Sequence, residues 1–243
     1  MTEKTAGTGA KKRLVALTGA GMSAESGFKT FRDEGGLWEN YGVEDVASPE
    51  GWRRNPKLMV DFYNNLRTQL EHAEPNEGHR ILASLEEHFD VGVITQNVDN
   101  LHERAGSTHV LHLHGELTKA RSVDDDSHPI DIGYRKMEYG ERGPDGALLR
   151  PFVVWFGEAV PMISEAARWV READIFVVIG SSLVVYPAAG LVHDLRADTL
   201  AYLIDPKEVS TPSSHPFTVI REGASRGMAI LRDELLATLP RLS

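Results

Sequence analysis

Apolar positions along the chain fall into two alternating patterns. Continuous apolar runs occur at "RLVALTGAG", "VGVITQN", "DIFVVIGSS" and "LAYLID", and each closes on small or polar residues. Runs of this kind fit strands buried on both faces of a parallel sheet. Between them, "NPKLMVDFYNNLRTQLEHA", "PNEGHRILASLEEHF" and "MISEAARWVREA" place apolar residues three and four apart, as an amphipathic helix requires. Strands alternating with helices predict an α/β fold with helices on both faces of a parallel sheet. In such a fold the ligand crevice lies beyond the carboxyl ends of the strands.

Two segments depart from the rhythm. Residues 1–12 are small and polar with no period and read as a disordered tail. Residues 118–149 contain "SVDDDSHPIDIG" and "MEYGERGPDGALL", rich in Gly, Pro and Asp, and read as a small insertion beside the main sheet.

Composition narrows the chemistry. With 243 residues, 41% of them hydrophobic and 26% charged, the chain can bury a substantial core. No apolar run is long enough to span a bilayer and no secretory signal is visible, so a cytoplasmic protein without a membrane partner is expected. The chain has no cysteine, which removes disulfides, thiolate metal ligands and a Cys nucleophile. A formal charge of −10 argues against nucleic-acid partners and favours basic ones such as lysine-bearing peptides.

The ends of the apolar runs carry the candidate chemistry. In "TGAGMSAESG", Gly19, Gly21 and Ala24 fit a dinucleotide fingerprint or a plain tight turn. The acidic residue that usually follows on a second strand is missing from "RDEGGLWENYG", but Asp205 closes "LAYLID" and offers a carboxylate for a ribose hydroxyl. "TQNVDNLH" crowds Gln96, Asn97, Asp99 and His102 together, either to bind a carboxamide and ribose or to cap a helix. "GSS" at 180–182 suits ribose or phosphate contact, or a helix entry. "VLHLHGEL" sets His112 and His114 on one side of a strand. That pair is readable as metal ligands, as a catalytic histidine beside a structural one, or as two structural residues.

Taken in order, these motifs resemble the sirtuin family of NAD-dependent protein lysine deacylases. "GAGMSAESGFKTFR", "PNEGH", "TQNVDNLH", "LHGEL", "RPFVVWFGE" and "GSSLVVYPAA" all stand in family order. The resemblance implies a Rossmann-like NAD domain over 13–243, a smaller subdomain at about 118–149 and a helical substrate-loop region at about 33–75. By position it implies that Gly19, Ala20, Gly21, Phe31 and Arg32 line the cofactor loop. Gln96 would hold the nicotinamide ribose, and Asn97 and Asp99 the carboxamide. Gly180, Ser181, Ser182 and Asp205 would meet phosphate and ribose, with Gly223 and Ala224 near the adenine. Val154, Phe156 and Gly157 would pair with the substrate backbone as an added strand. His114 matches the catalytic histidine, and His112 keeps a structural role. The implied reaction yields deacylated lysine, nicotinamide and O-acyl-ADP-ribose.

Three departures from the family pattern alter these expectations. The Cys pairs that usually hold a structural zinc are absent, so no zinc or other metal is expected. Ile130, Ile132, Tyr134, Met137 and Tyr139 would then pack the small subdomain, and "DDDSH" (Asp124 to His128) reads as a solvated loop. Members that read acidic acyl groups carry Tyr-x-x-Arg, whereas Tyr63 is followed three residues on by Leu66, with Arg67 one later. Arg67 could reach a carboxylate beside Tyr63 or be a surface arginine, and the latter is favoured, so deacetylation is expected over desuccinylation. Phe152 replaces a common His. The alternatives are a metal-dependent hydrolase using His112 and His114, and a non-catalytic NAD or ADP-ribose binding module.

Overall fold

A computed structural model describes residues 10–27, 41–125 and 127–242. Six parallel strands form the main sheet: β1 (Arg13–Thr18), β2 (Asp90–Thr95), β3 (Val110–His112), β7 (Ile175–Ile179), β8 (Leu200–Ile204) and β9 (Thr218–Ile220). Their order is β3-β2-β1-β7-β8-β9. The α/β fold expected from the apolar runs is therefore present, because alternate residues of each central strand are buried on opposite faces. Leu14 and Ala16 of β1 pack with Ile81 and Leu82 of α4 (Glu77–Ser84) and with Met228 and Leu231 of α7 (Ala224–Leu242). Val15 and Leu17 face the other way, toward Ala166 and Val170 of α6 (Ile163–Glu172) and Leu191 of a 3-10 turn. Each such fully buried aliphatic side chain stabilises the fold by about 1.5–3 kcal/mol.

Ahead of α4 come α1 (Val43–Val46), α2 (Pro49–Arg54) and α3 (Pro56–His72). Ser48 and Asn55 start the latter two, their side chains accepting from Gly51 N at 2.9 Å and Leu58 N at 3.1 Å. Each cap satisfies an otherwise orphaned amide, and proline stands at the first helical position where its missing N–H costs nothing. After α5 (Leu101–Ala105) and β3, the chain enters a small antiparallel sheet of β4 (Gly115–Ser122), β5 (Ile130–Asp131) and β6 (Leu149–Val153), ordered β5-β4-β6.

The small sheet is tied to α3 by apolar packing and by polar contacts. Val60 of α3 packs with Ala120, Ile132, Met137 and Leu149, and Ile130 lies against that group. Asn64 Nδ2 donates to Met137 O at 2.9 Å, while Asn64 Oδ1 accepts from Met137 N at 2.8 Å. Tyr134 packs on the α3 side instead, and Tyr139, expected in the packing, is 54% exposed. Gly115 opens β4 with φ +81, and a Cβ there would lie 2.1 Å from Phe152 O. Its lack of a side chain lets β4 approach β6. Among the described residues no helix is long and apolar enough to cross a membrane.

Candidate active site

The carboxyl ends of β1, β2 and β7 are wired to one another. Gly19 N donates to Ile179 O at 3.0 Å, Gly21 N to Gly180 O at 2.9 Å, and Gln96 N to Thr18 O at 2.9 Å. The contact is close enough that a Cβ on Gly21 would sit 2.6 Å from Gly180 Cα. Gly180 itself adopts φ +60, which favours glycine. Ala20 begins a short 3-10 turn, so the fingerprint segment leaves β1 in tight turns.

Polar side chains cluster above this junction. Asn97 Nδ2 donates to Gly19 O at 3.1 Å and to Ser23 Oγ at 3.2 Å, and Ser23 Oγ donates to Asp99 Oδ2 at 2.9 Å. Asp99 Oδ1 accepts from Leu101 N at 3.1 Å. Burial pushes the Asp99 carboxyl above its ordinary value, against the opposing pull of those two bonds. Gln96 Nε2 donates to Ser181 Oγ at 2.9 Å, linking the ends of β2 and β7. Ser182 is exposed, and Asp205, half-buried after β8, accepts from Lys207 N at 2.8 Å. Ala224 is buried at the start of α7, where Ser225 N donates to Glu25 Oε1 at 3.1 Å. Phe31 and Arg32 lie outside the described residues.

The two histidines of "VLHLHGEL" both turn toward the loop after β2. Nδ1 of His114 lies 2.9 Å from Gln96 O. A carbonyl only accepts, so Nδ1 carries the hydrogen and Nε2 keeps its lone pair. Burial lowers the His114 pKa below 6.5, with the Gln96 bond opposing, so the ring is neutral at pH 7. His112 spans Asn97 O at 3.2 Å and Glu103 Oε1 at 2.7 Å. Beneath them His102 and His79 are fully buried, their rings edge to face at 4.8 Å. Burial pushes His79 down to about 4 and His102 well below the ordinary range.

A uncharged, base-competent imidazole among amides, hydroxyls and a buried carboxyl at parallel strand ends calls for comparison with known proteins. The model of the Sir2 family matches residues 19–187. The chain belongs to the Sir2 family. It is 57% identical over 230 residues to an NAD-dependent protein deacylase of Bacteroides thetaiotaomicron, covering 93% of this chain and 98% of that protein. It is 48% identical over 225 residues to an NAD-dependent protein deacylase of Helicobacter pylori strain J99, covering 93% and 96%. Among solved structures, a substituted Sir2 homologue bound to ADP-ribose superposes with a TM-score of 0.85 at 37% identity, covering 95% of this chain and 94% of that one. A Sir2 homologue in complex with NAD gives 0.84 at 36% identity, covering 94% and 91%.

In this Sir2 chain the residues expected to meet substrate lie around the start of the segment after β6 and on α3. Val154 N donates to His114 O at 2.9 Å and Phe156 N to Ala47 O at 3.0 Å, so both amides bond within the chain. Phe156 is 54% exposed and Gly157 adopts φ +90 in the turn that follows. Tyr63 is buried, with its hydroxyl accepting from Trp155 Nε1 at 3.0 Å. Arg67 is not a surface arginine: it is fully buried. Its Nε donates to Leu117 O and its Nη1 to Asn64 Oδ1, both at 2.6 Å, and burial brings its pKa down to about 10. The Leu117 carbonyl of β4 and the Asn64 side-chain oxygen of α3 itself give the buried guanidinium its acceptors.

Sequence reasoning missed Ser23, Thr18, Thr95, Glu25 and Glu103. Thr18 Oγ1 donates to Thr95 Oγ1 at 2.9 Å and lies 3.0 Å from His102 Nε2, beneath the junction. A threonine closing each of two adjacent strands was the available signal, since parallel neighbours in register place these hydroxyls side by side.

Proposed function

We propose that the chain is an NAD-dependent protein lysine deacylase that acts on acyl-lysine proteins or peptides and releases deacylated lysine, nicotinamide and O-acyl-ADP-ribose. The observation that carries this reading is His114, whose Nδ1 is spent on Gln96 O while its pKa is held below 6.5 by burial. Its Nε2 is thereby left as a general base in the usable protonation state. The residues around it suit the cofactor chemically. Amides of Gln96 and Asn97 and hydroxyls of Ser23, Ser181 and Ser182 can meet a carboxamide, ribose and phosphate, and glycines let backbone approach them.

NAD, when bound, supplies a ribose carbon that takes the acyl oxygen as nicotinamide departs. Asn97 and Asp99 would hold the carboxamide end, Gln96 the adjacent ribose, and Ala20, Gly180, Asp205 and Ala224 the remainder. His114 Nε2 would be the atom that accepts a proton from a ribose hydroxyl. Val154, Phe156 and Gly157 border the peptide. For Val154 and Phe156 the carbonyls carry that role, because their amides are already bonded. A metal hydrolase is disfavoured because both nitrogens of His112 are engaged, and no group of three or more His, Cys, Asp or Glu among the described residues is placed to hold a metal.

The preferred acyl group is short and neutral, as in acetyl-lysine. Leu66 is buried beside Tyr63 in an apolar group with Met59, Val98 and Trp155, and Arg67 is committed to Leu117 and Asn64. A carboxylate entering there would lose hydration while Arg67 Nε and Nη1 stay bound to Leu117 O and Asn64 Oδ1. Incubating acetyl-, succinyl- and longer acyl-lysine peptides with NAD and following acyl loss by mass tests both statements. Acetyl should exceed succinyl in kcat/KM by at least about tenfold, a difference of about 1.4 kcal/mol. Equal or better succinyl removal contradicts the preference, and no NAD-dependent loss of any acyl group contradicts the function. Apolar packing and the Asn64 contacts hold the small sheet without zinc, and stoichiometric zinc in purified protein would overturn that.

A further inference from the structure

His112 has a place in the site that a merely structural histidine does not need. Its Nδ1 faces Asn97 O at 3.2 Å and its Nε2 faces Glu103 Oε1 at 2.7 Å. A carbonyl and a carboxylate both accept, so both ring nitrogens must carry hydrogen and the ring is an imidazolium. Asn97 stands in the loop joining β2 to α5 and Glu103 within α5, and His112, on β3, bridges them.

Besides that carbonyl, the backbone N–H and the side-chain nitrogen of Asn97 are both bonded. Its N–H donates to Thr95 Oγ1 at 3.0 Å, and its Nδ2 reaches Gly19 O and Ser23 Oγ. That carbonyl belongs to the 97–98 peptide, so its orientation sets how the backbone runs from Asn97 to Asp99, both of which bond Ser23. We propose that His112 and Glu103 are positioning residues that fix the Asn97 peptide and thereby shape the pocket for the nicotinamide end of the cofactor. This rests on the cofactor reading above and extends it to residues that do not touch the cofactor.

The surrounding charges favour the imidazolium. Burial opposes the charge on His112, but the Glu103 bond and charge, Glu116 of β4 and the Asn97 carbonyl together raise its pKa above 6.5. Asp99, in the loop, also faces it, while His102 of α5 is held neutral. Lys119 of β4 pairs with Glu116 at 2.7 Å and acts on Glu103, competing for both carboxylates.

Direct binding of NAD, ADP-ribose and nicotinamide by calorimetry tests the proposal, because ADP-ribose lacks the nicotinamide end. His112→Gln keeps a donor toward Glu103 and loses the one toward Asn97 O, so NAD should weaken at least about tenfold, one peptide-holding hydrogen bond. ADP-ribose affinity should stay within about twofold. His112→Asn retains the donor at the Nδ1 position and should keep most of the NAD affinity. In the wild type the preference for NAD over ADP-ribose should decline as pH rises through the raised His112 pKa. Glu103→Gln should move that decline to lower pH, and it serves as the second variant where His112→Gln does not fold. NAD and ADP-ribose affinities that fall in parallel, or a preference unchanged in His112→Gln and Glu103→Gln, would overturn the proposal. Wild-type protein that binds neither ligand would overturn the cofactor reading and this proposal with it.

Discussion

Two histidines separated by one residue are held in opposite charge states by what their nitrogens face. His112 lies between a carbonyl and a carboxylate, whereas His114 has one carbonyl partner and a buried ring. Environments that push neighbouring pKa values apart assign acid and base roles. His114→Ala should therefore lower kcat by roughly a hundred- to ten-thousandfold with NAD affinity little changed, measured by steady-state kinetics alongside calorimetry. In the wild type, kcat should fall as acid protonates His114, through a pKa below 6.5, and full turnover at pH 7 would persist. Retention of most turnover in the variant would remove His114 from the reaction. The alternation of "VLHLHGEL" showed that both side chains share one side, but Glu103 could not be read as the partner of His112. Their meeting depends on where α5 packs, and sequence spacing carries no such distance. Arg67 was misread for a related reason: charge suggested surface, while the Leu117 carbonyl from beyond β3, with Asn64 on its own helix, made burial tolerable.

At the scale of elements, the turn after β6 has its own internal brace. Arg150 Nη1 and Nη2 grip Glu158 at 2.6 and 3.0 Å, and Nη2 also donates to Val153 O at 2.8 Å. Glu158 Oε2 accepts from Trp155 N at 2.8 Å, and the Arg150 guanidinium lies 3.2 Å from the Trp155 ring centroid. Trp155 in turn reaches Tyr63, so the turn carrying Phe156 and Gly157 is joined to α3. Burial works against the Glu158 charge, but its bonds to Arg150 and Trp155 outweigh it and hold the carboxyl below its ordinary value. The stability it adds is present above the unfolded value of 4.5 and is lost as pH falls through the folded one. Glu158→Gln should raise KM for acyl-peptide about tenfold, the loss of one charge-assisted bond, while KM for NAD stays within about twofold. An equal rise in both would show that the brace acts on the whole fold. "RPFVVWFGE" displayed the strand and the glycine turn, but not that its first and last residues form an ion pair.

For the molecule as a whole, the apolar runs were enough to foresee the parallel sheet. Val15, Val177 and Leu203 read as strand residues because both faces of each strand are covered. The small sheet was less legible. Its strands are short, β5 having two residues, and its contacts with α3 join residues as far apart as Asn64 and Met137. The account's central claim is that these strand ends spend NAD on acyl-lysine. Nicotinamide release from NAD, measured with and without an acetyl-lysine peptide, tests it most directly. Release that requires the peptide and matches lysine deacetylation mole for mole is the predicted result; release independent of peptide, or none with peptide present, would contradict it.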